Sequence, residues 1–253
     1  MIYKYRPIDI NTIKTLLHNS LYCSDPVNFN DPFDGNFTID FTNSFYEKPL
    51  DFCNKLILNY IELKDFKMAN DSRNIIIDLI DKNAIENIKR YILDQFKKMF
   101  EIEGEENDIG VLCFSKKHDN ILMWSHYADK HKGIVLSFDT SKEPLIHARA
   151  VEYPVDNELY KFSIEKPFDK ILVESLFRKA IDWRYEAEVR YINPFGPGLI
   201  EYSYDALKTV YFGCRTSDED IETVIKVLEG KKVEYYQAQK DDNGYKLQFR
   251  RMK

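Results

Sequence analysis

The chain predicts an α+β fold: a mixed, largely antiparallel sheet core with an inserted helical lobe. Three observations lead there. Between about 47 and 102, apolar residues recur at three- and four-residue steps (Leu56, Tyr60, Leu63, then Ile85, Ile88, Ile92, Phe96, Phe100), which is the period of a helix face. Beyond residue 108, short apolar and aromatic runs dominate, scattered among helices without a βαβ rhythm. Near the C-terminus, Asp242-Asn243-Gly244 separates two such runs and signals a hairpin. Residues 1–253 therefore read as a single α+β domain with a helical insertion at about 47–102.

The elements follow in order. Residues 2–6 form a strand; Ile10, Ile13, Leu16 and Leu17 give a helical stripe over about 9–19, stopped at Asn19; a second strand runs 21–23. Asp25-Pro26 and Asn30-Asp31-Pro32-Phe33-Asp34-Gly35 are turn-rich. After the insertion and an acidic loop (103–108) comes a strand at 109–115, then a helix at 120–130 capped by Asp119, then Gly133 and a strand at 134–138. Further strands are expected at 147–154, 184–192, 199–204 and 208–213, with a helix near 165–182. Thr216-Ser217-Asp218-Glu219 opens a helix at 218–229 that Gly230 closes, and strands at 232–238 and 244–251 finish the chain.

Composition removes several function classes. Nine glycines are about half the usual share, and neither a P-loop nor a Rossmann fingerprint is present. The formal net charge of −6 does not support wholesale nucleic-acid binding, though a local basic patch is compatible with it. No secretory or membrane-length apolar run occurs, so a cytoplasmic protein with no membrane association is expected. Cys23, Cys53, Cys113 and Cys214 are widely spaced and read as reduced core thiols; no metal site is predicted. Seventeen Phe and seventeen Tyr point to an aromatic-rich core.

Four constellations could carry chemistry. In Trp183-Arg184-Tyr185-Glu186-Ala187-Glu188-Val189-Arg190-Tyr191, strand alternation would put Glu186 and Glu188 on one face with Arg184 and Arg190. Two carboxylates so close favour different protonation states, which suits proton transfer; a solvated strand face with ion pairs is the plain alternative. Trp124, Ser125, His126 and Tyr127 could supply a stacking platform and hydrogen bonds for a base or nicotinamide, or Trp124 could simply be core. Asp31 and Asp34 could hold a cation or ribose, or satisfy their own turn. On the first strand lie Tyr3, Tyr5 and Arg6; Arg6 could clasp a phosphate or pair with a carboxylate.

Tyr3-Lys4-Tyr5-Arg6-Pro7, Asn30-Asp31-Pro32-Phe33-Asp34, the stretch Leu122 to Ala128, Lys132-Gly133, Tyr185 to Arg190 and Phe212-Gly213 closely resemble the bacterial domain-of-unknown-function family 2971, over most of the chain outside the insertion. The order of an Arg-bearing strand, a Ser-bearing segment and a Glu-x-Glu strand also resembles arginine–serine–glutamate ADP-ribosyltransferases. That resemblance implies NAD as substrate, with Arg6, Tyr5, Trp124, Ser125, His126 and Tyr127 binding it. Glu188 would stabilise the ribosyl cation and Glu186 activate the acceptor. Such an activity would suit a toxin or phage-defence effector with a macromolecular acceptor that the sequence does not identify. Two other readings stand beside it: a nucleic-acid-processing enzyme with Asp31, Asp34, Glu186 and Glu188 around Mg²⁺, and a non-catalytic module that recognises a ligand or partner through 124–127.

Overall fold

The structure, a computed structural model, describes residues 1–40, 54, 58, 66–81, 85–101, 109–163 and 173–252. The chain divides into two compact units. One comprises Met1–Asp34, Asn107–Asn157 and Phe177–Lys253; the other comprises Gly35–Glu106 and Glu158–Leu176.

The first unit is built on strand β1 (Ile2–Arg6), helix α1 (Ile10–His18) and strand β2 (Ser20–Cys23). The Asp9 carboxylate caps α1 by accepting from the Thr12 backbone N–H, and Asn19 ends it in the left-handed region at φ 49°, a conformation asparagine tolerates better than most residues. Its later elements are β4 (Gly110–Ser115), α4 (Ile121–Tyr127), β5 (Ile134–Phe138), β6 (Arg149–Ala150), β8 (Glu188–Asn193), β9 (Gly198–Glu201), β10 (Leu207–Phe212), α5 (Asp218–Val227), β11 (Glu234–Lys240) and β12 (Leu247–Arg251). The main sheet runs β12-β11-β10-β5-β1-β4-β8-β6, with every neighbouring pair antiparallel except β10 and β11. The class is therefore α+β with a mixed, mostly antiparallel sheet. The β10–α5–β11 crossover is a βαβ unit that the sequence pattern did not suggest. Ser217 caps its helix as expected, its hydroxyl accepting from the Asp220 backbone N–H. Central β5 is buried at all five positions, and Leu16, Leu112, Phe114, Leu136, Phe138, Val210, Phe212 and Val224 pack into one core.

Several expectations shift. The helix expected near 165–182 is helical, among the described residues, only at 173–175, and Arg178 makes an isolated bridge to Glu152. The helix expected at 120–130 starts one residue later than expected, because Asn120, not Asp119, accepts from the Leu122 and Met123 backbone N–H groups. It stops at Tyr127, and Asp129, Lys130 and His131 follow with φ of 43°, 53° and 71°. This left-handed turn is held by close backbone crossings: a Cβ on Gly133 would lie 2.2 Å from the Arg6 carbonyl oxygen, and one on Gly213 would lie 2.0 Å from that of His131. The strand expected at 147–154 is paired only at Arg149–Ala150, apart from an isolated bridge at Glu152. The alternating strand at 184–192 is the largest correction. Ile181–Glu186 is a 3₁₀ turn, Ala187 sits at φ 45°, and β8 begins only at Glu188.

The second unit contains β3 (Phe37–Asp40), α2 (Phe66–Asp81), α3 (Ile85–Glu101) and β7 (Tyr160–Ser163). Here β3 and β7 pair in parallel. Ile76, Ile88 and Ile92 are buried, so the three- and four-residue spacing does mark a packed face, and the Tyr91 hydroxyl donates to Ser72 Oγ at 3.1 Å. The parts of the expected helices falling on residues 47–53, 55–57, 59–65, 82–84 and 164–172 lie outside the described residues.

Candidate functional site

The main sheet is split beside its centre. β1 pairs with β5 at five positions, from Ile2 opposite Phe138 to Arg6 opposite Ile134, yet meets β4 only at Tyr3 opposite Ser115. β4 is committed to β8 along its full length, from Gly110 opposite Asn193 to Ser115 opposite Glu188. A cavity of about 320 Å³ is flanked by both parted strands; Tyr3, Lys4 and Tyr5 line it from one side and Cys113, Phe114 and Ser115 from the other. Phe29, Asn30, Met123 and Tyr127 add to its walls. Asp34, Lys179, Glu186, Glu188 and Arg190 supply its charge.

Those five groups form one buried ionic cluster, each side chain no more than 5% exposed. Arg190 clasps Glu188 through Nε (2.8 Å) and Nη2 (2.9 Å), and clasps Asp34 through Nη1 (2.7 Å) and Nη2 (2.5 Å). The planar guanidinium fork is what allows both carboxylates to be met bidentately. Lys179 Nζ donates to Glu186 Oε2 at 2.7 Å and Glu188 Oε2 at 3.3 Å, and lies 3.7 Å from Asp34 Oδ2. Each cation also faces an aromatic ring, Arg190 over Phe29 and Lys179 over Trp183. The Tyr127 hydroxyl donates to Glu186 Oε1 at 2.7 Å.

Burial opposes the charge on Glu188, but Arg190 and then Lys179 overcome it and bring its carboxyl down to about 2. Burial likewise works against Lys179 and Arg190, and their carboxylate partners hold both well above their ordinary values. Burial, reinforced by the bond to Glu186, raises the Tyr127 phenol. Glu188 is therefore a fixed negative charge with both oxygens occupied, not a proton donor near neutral pH. Each Glu186 oxygen has one recorded partner, leaving acceptor capacity toward a ligand. The three carboxylates proposed around Mg²⁺ converge instead on an ammonium and a guanidinium. Asp31, the fourth, accepts from the Phe33 backbone N–H at 2.9 Å and so closes its own turn. Among the described residues, no His, Cys, Asp and Glu group is arranged to hold a metal ion.

Of the residues singled out from the sequence, Tyr3, Tyr5, Asp34, Tyr127, Glu186, Glu188 and Arg190 meet at this cavity. Four others do not line it. Arg6 Nε donates to Thr12 Oγ1 at 3.1 Å beside α1. Trp124 is fully buried, its Nε1 donating to the His118 carbonyl at 2.7 Å, so it is core and not a stacking or recognition surface. The Ser125 hydroxyl donates to the Ile121 carbonyl and lies 3.1 Å from His131 Nε2, at a second cavity of about 830 Å³ shared with Lys130, Arg215 and Lys240. Exposed His126 lies beside the rings of Tyr127 and Tyr185. For Ser125 and His126 the physical reason is helical: successive residues of α4 point about 100° apart, so both leave the side from which Met123 and Tyr127 line the cavity.

Lys179 and Lys4 escaped the sequence reading. Nothing local marks Lys179, which reaches the cluster because the chain after Phe177 runs beside Glu152, with backbone bonds from Glu152 to the Phe177 carbonyl and from Lys179 to the Glu152 carbonyl. Arg190 did have a signal, an arginine two residues beyond Glu188 on the same strand face. Lys4 Nζ donates to the Cys113 carbonyl at 2.7 Å, reaching across from β1 to β4.

No described helix is long and apolar enough to cross a membrane. Cys23, Cys113 and Cys214 are free thiols, and Cys53 lies outside the described residues. Comparison with known proteins finds no matching curated protein and no matching solved structure. A family model described as "Protein of unknown function (DUF2971)" matches residues 123–191, leaving Tyr3–Pro7, Asn30–Asp34 and Phe212–Gly213 outside the match. Tyr127, Lys179, Glu186, Glu188 and Arg190, which supply most of the cavity's polar lining, thus fall within the segment that is similar to this family of unknown function.

Proposed function

We propose that the protein is an enzyme acting on the glycosidic C–N bond of a nucleotide, with NAD as the substrate and ADP-ribosyl transfer as the reaction. The observation that supports this reading is the convergence of Glu186, Glu188 and Tyr127 at one aromatic-walled cavity. The three carboxylates there outnumber the two paired cations, which favours a ligand that carries or develops positive charge. In the reaction the C1′–N bond breaks and its electron pair leaves with the nicotinamide nitrogen, neutralising the pyridinium. The ribosyl carbon becomes cationic until an acceptor oxygen or nitrogen bonds to it and releases a proton.

Glu186, with unused acceptor capacity, would receive a ribose hydroxyl or the acceptor's proton. Glu188, tied to Arg190 and Lys179, would act through its fixed charge. This exchanges the emphasis placed on the two glutamates by the sequence resemblance. Arg6 and Ser125 have no part in this version, since neither lines the cavity. A volume of about 320 Å³ is at the low end for ligand sites, suiting the nicotinamide–ribose end of NAD.

Incubation with NAD, followed by chromatography for free nicotinamide, tests the proposal. Glu186→Gln should lower the release rate by about 10²- to 10³-fold, the usual cost of losing one preorganised electrostatic group. Absence of both calorimetric NAD binding at millimolar ligand and nicotinamide release from the wild-type protein would overturn it.

A further inference from the structure

The buried cluster leaves one amine unused. Lys4 lies on β1 beside the split, lines the 320 Å³ cavity, and donates its recorded hydrogen bond to a neutral acceptor, the Cys113 carbonyl. Among the described residues it forms no ion pair, in contrast to Lys179 a short way along the same cavity, which has three carboxylates within 4 Å. Its amine is also 5.7 Å from the centre of the Phe114 ring. A desolvated lysine with no carboxylate in direct contact is the arrangement that makes an amine nucleophilic near neutral pH.

From this geometry we infer that Lys4 is a covalent attachment point, whose amine condenses with the carbonyl carbon of an aldehyde or ketone ligand entering the cavity. The nitrogen adds to the carbonyl carbon to give a carbinolamine. Loss of water, made from the carbonyl oxygen and two protons, then leaves the imine, with no oxidation or reduction. The groups that act on the amine come from several elements. Burial is the largest influence and lowers its affinity for a proton; Cys113 on β4 opposes it, Arg6 adds to it, and Glu188 on β8 and Cys23 on β2 oppose it less than either. The Cys113 thiol does not compete as nucleophile, since burial pushes it up to about 12. The ligand would be a small carbonyl compound with a flat or polar body, because Tyr3, Tyr5 and Tyr127 wall the cavity. This inference is independent of the glycosyl-transfer proposal, which assigns Lys4 no role.

Pyridoxal is a suitable probe, being a flat aldehyde whose imine absorbs in the visible. The full chain would be treated with pyridoxal at pH 7, reduced with borohydride, digested and mapped by mass spectrometry. Lys4 should be labelled about tenfold faster than exposed lysines such as Lys116 and Lys130, because less of a desolvated amine is held in the protonated, unreactive form. Its labelling rate should also level off at lower pH than theirs. Lys4→Arg, which keeps a long side chain with N–H donors for the Cys113 carbonyl but no amine able to form an imine, should abolish the fast phase while thermal melting confirms that the fold persists. Labelling of Lys4 no faster than of the exposed lysines, in the wild-type protein, would overturn the inference whatever the outcome with NAD.

Discussion

Removing the Arg190 guanidinium tests whether the buried cluster is an interdependent ionic assembly. In Arg190→Met the methylene stem survives, but Glu188 loses two of its charge-assisted hydrogen bonds and Asp34 loses both of its bonds to the fork. Both carboxylates are nearly inaccessible, so water cannot replace what is lost. Breaking a buried pair from one side costs about 3–5 kcal/mol, against about 5–15 kcal/mol for the whole stability of a typical domain. The acid limb gives an independent magnitude. A carboxyl held at about 2 instead of the usual 4.5 contributes about 3 kcal/mol. Because the folded group titrates below the unfolded one, that contribution is complete above about pH 4.5 and is lost as pH falls toward about 2. Urea titration followed by far-ultraviolet circular dichroism at pH 7 should show a midpoint lowered by about 1–2 M for Arg190→Met. In the same variant, the acid-dependent loss between pH 4.5 and 2 should shrink. Adding Asp34→Asn and Glu188→Gln should recover part of the stability, since the uncompensated charges go with their partner. An Arg190→Met protein within about 1 kcal/mol of wild type at pH 7 would refute the reasoning.

Three further outcomes follow from particular contacts. Trp124→Ala, which empties a fully buried site and orphans the His118 carbonyl, should cost about 3–5 kcal/mol in chemical denaturation. Gly213→Ala forces a Cβ to within 2.0 Å of the His131 carbonyl oxygen, so the melting temperature should fall by an amount matching about 3 kcal/mol of overpacking; an unchanged melt would show that the crossing relaxes freely. Ser217→Ala removes the cap of α5 and should cost about 1 kcal/mol, while Ser217→Asp should retain most of it.

What was legible in the sequence was mostly local. Asn19 and Ser217 mark helix ends by chemistry that acts within four residues, and each does so in the structure. The spacing of Ile88 and Ile92 marks a buried helix face for the same reason. Alternation misled at 183–191, because a charged and aromatic run with period two also fits a 3₁₀ turn followed by a strand. Ala187 in the left-handed region joins the two, and no side chain in the run announces it. Glu186 and Glu188 still meet, though through Lys179 and not through a shared strand face.

The sequence by itself determined the α+β class, most element positions, the absence of glycine-built nucleotide loops and the interest of the Glu-x-Glu pair. Only the tertiary structure decided that Arg6, Trp124, Ser125 and His126 do not line the cavity of that pair, and that Lys4, Asp34, Lys179 and Arg190 share it. Hydrogen-bonding caps and apolar periodicity are written in neighbouring residues. A buried charge is tolerable only where distant segments supply its partners, and Asp34 lies 156 positions from Arg190 along the chain. That pairing exists because β1 and β4 part, β8 follows β4, and the loop before Gly35 is brought over the opening they leave.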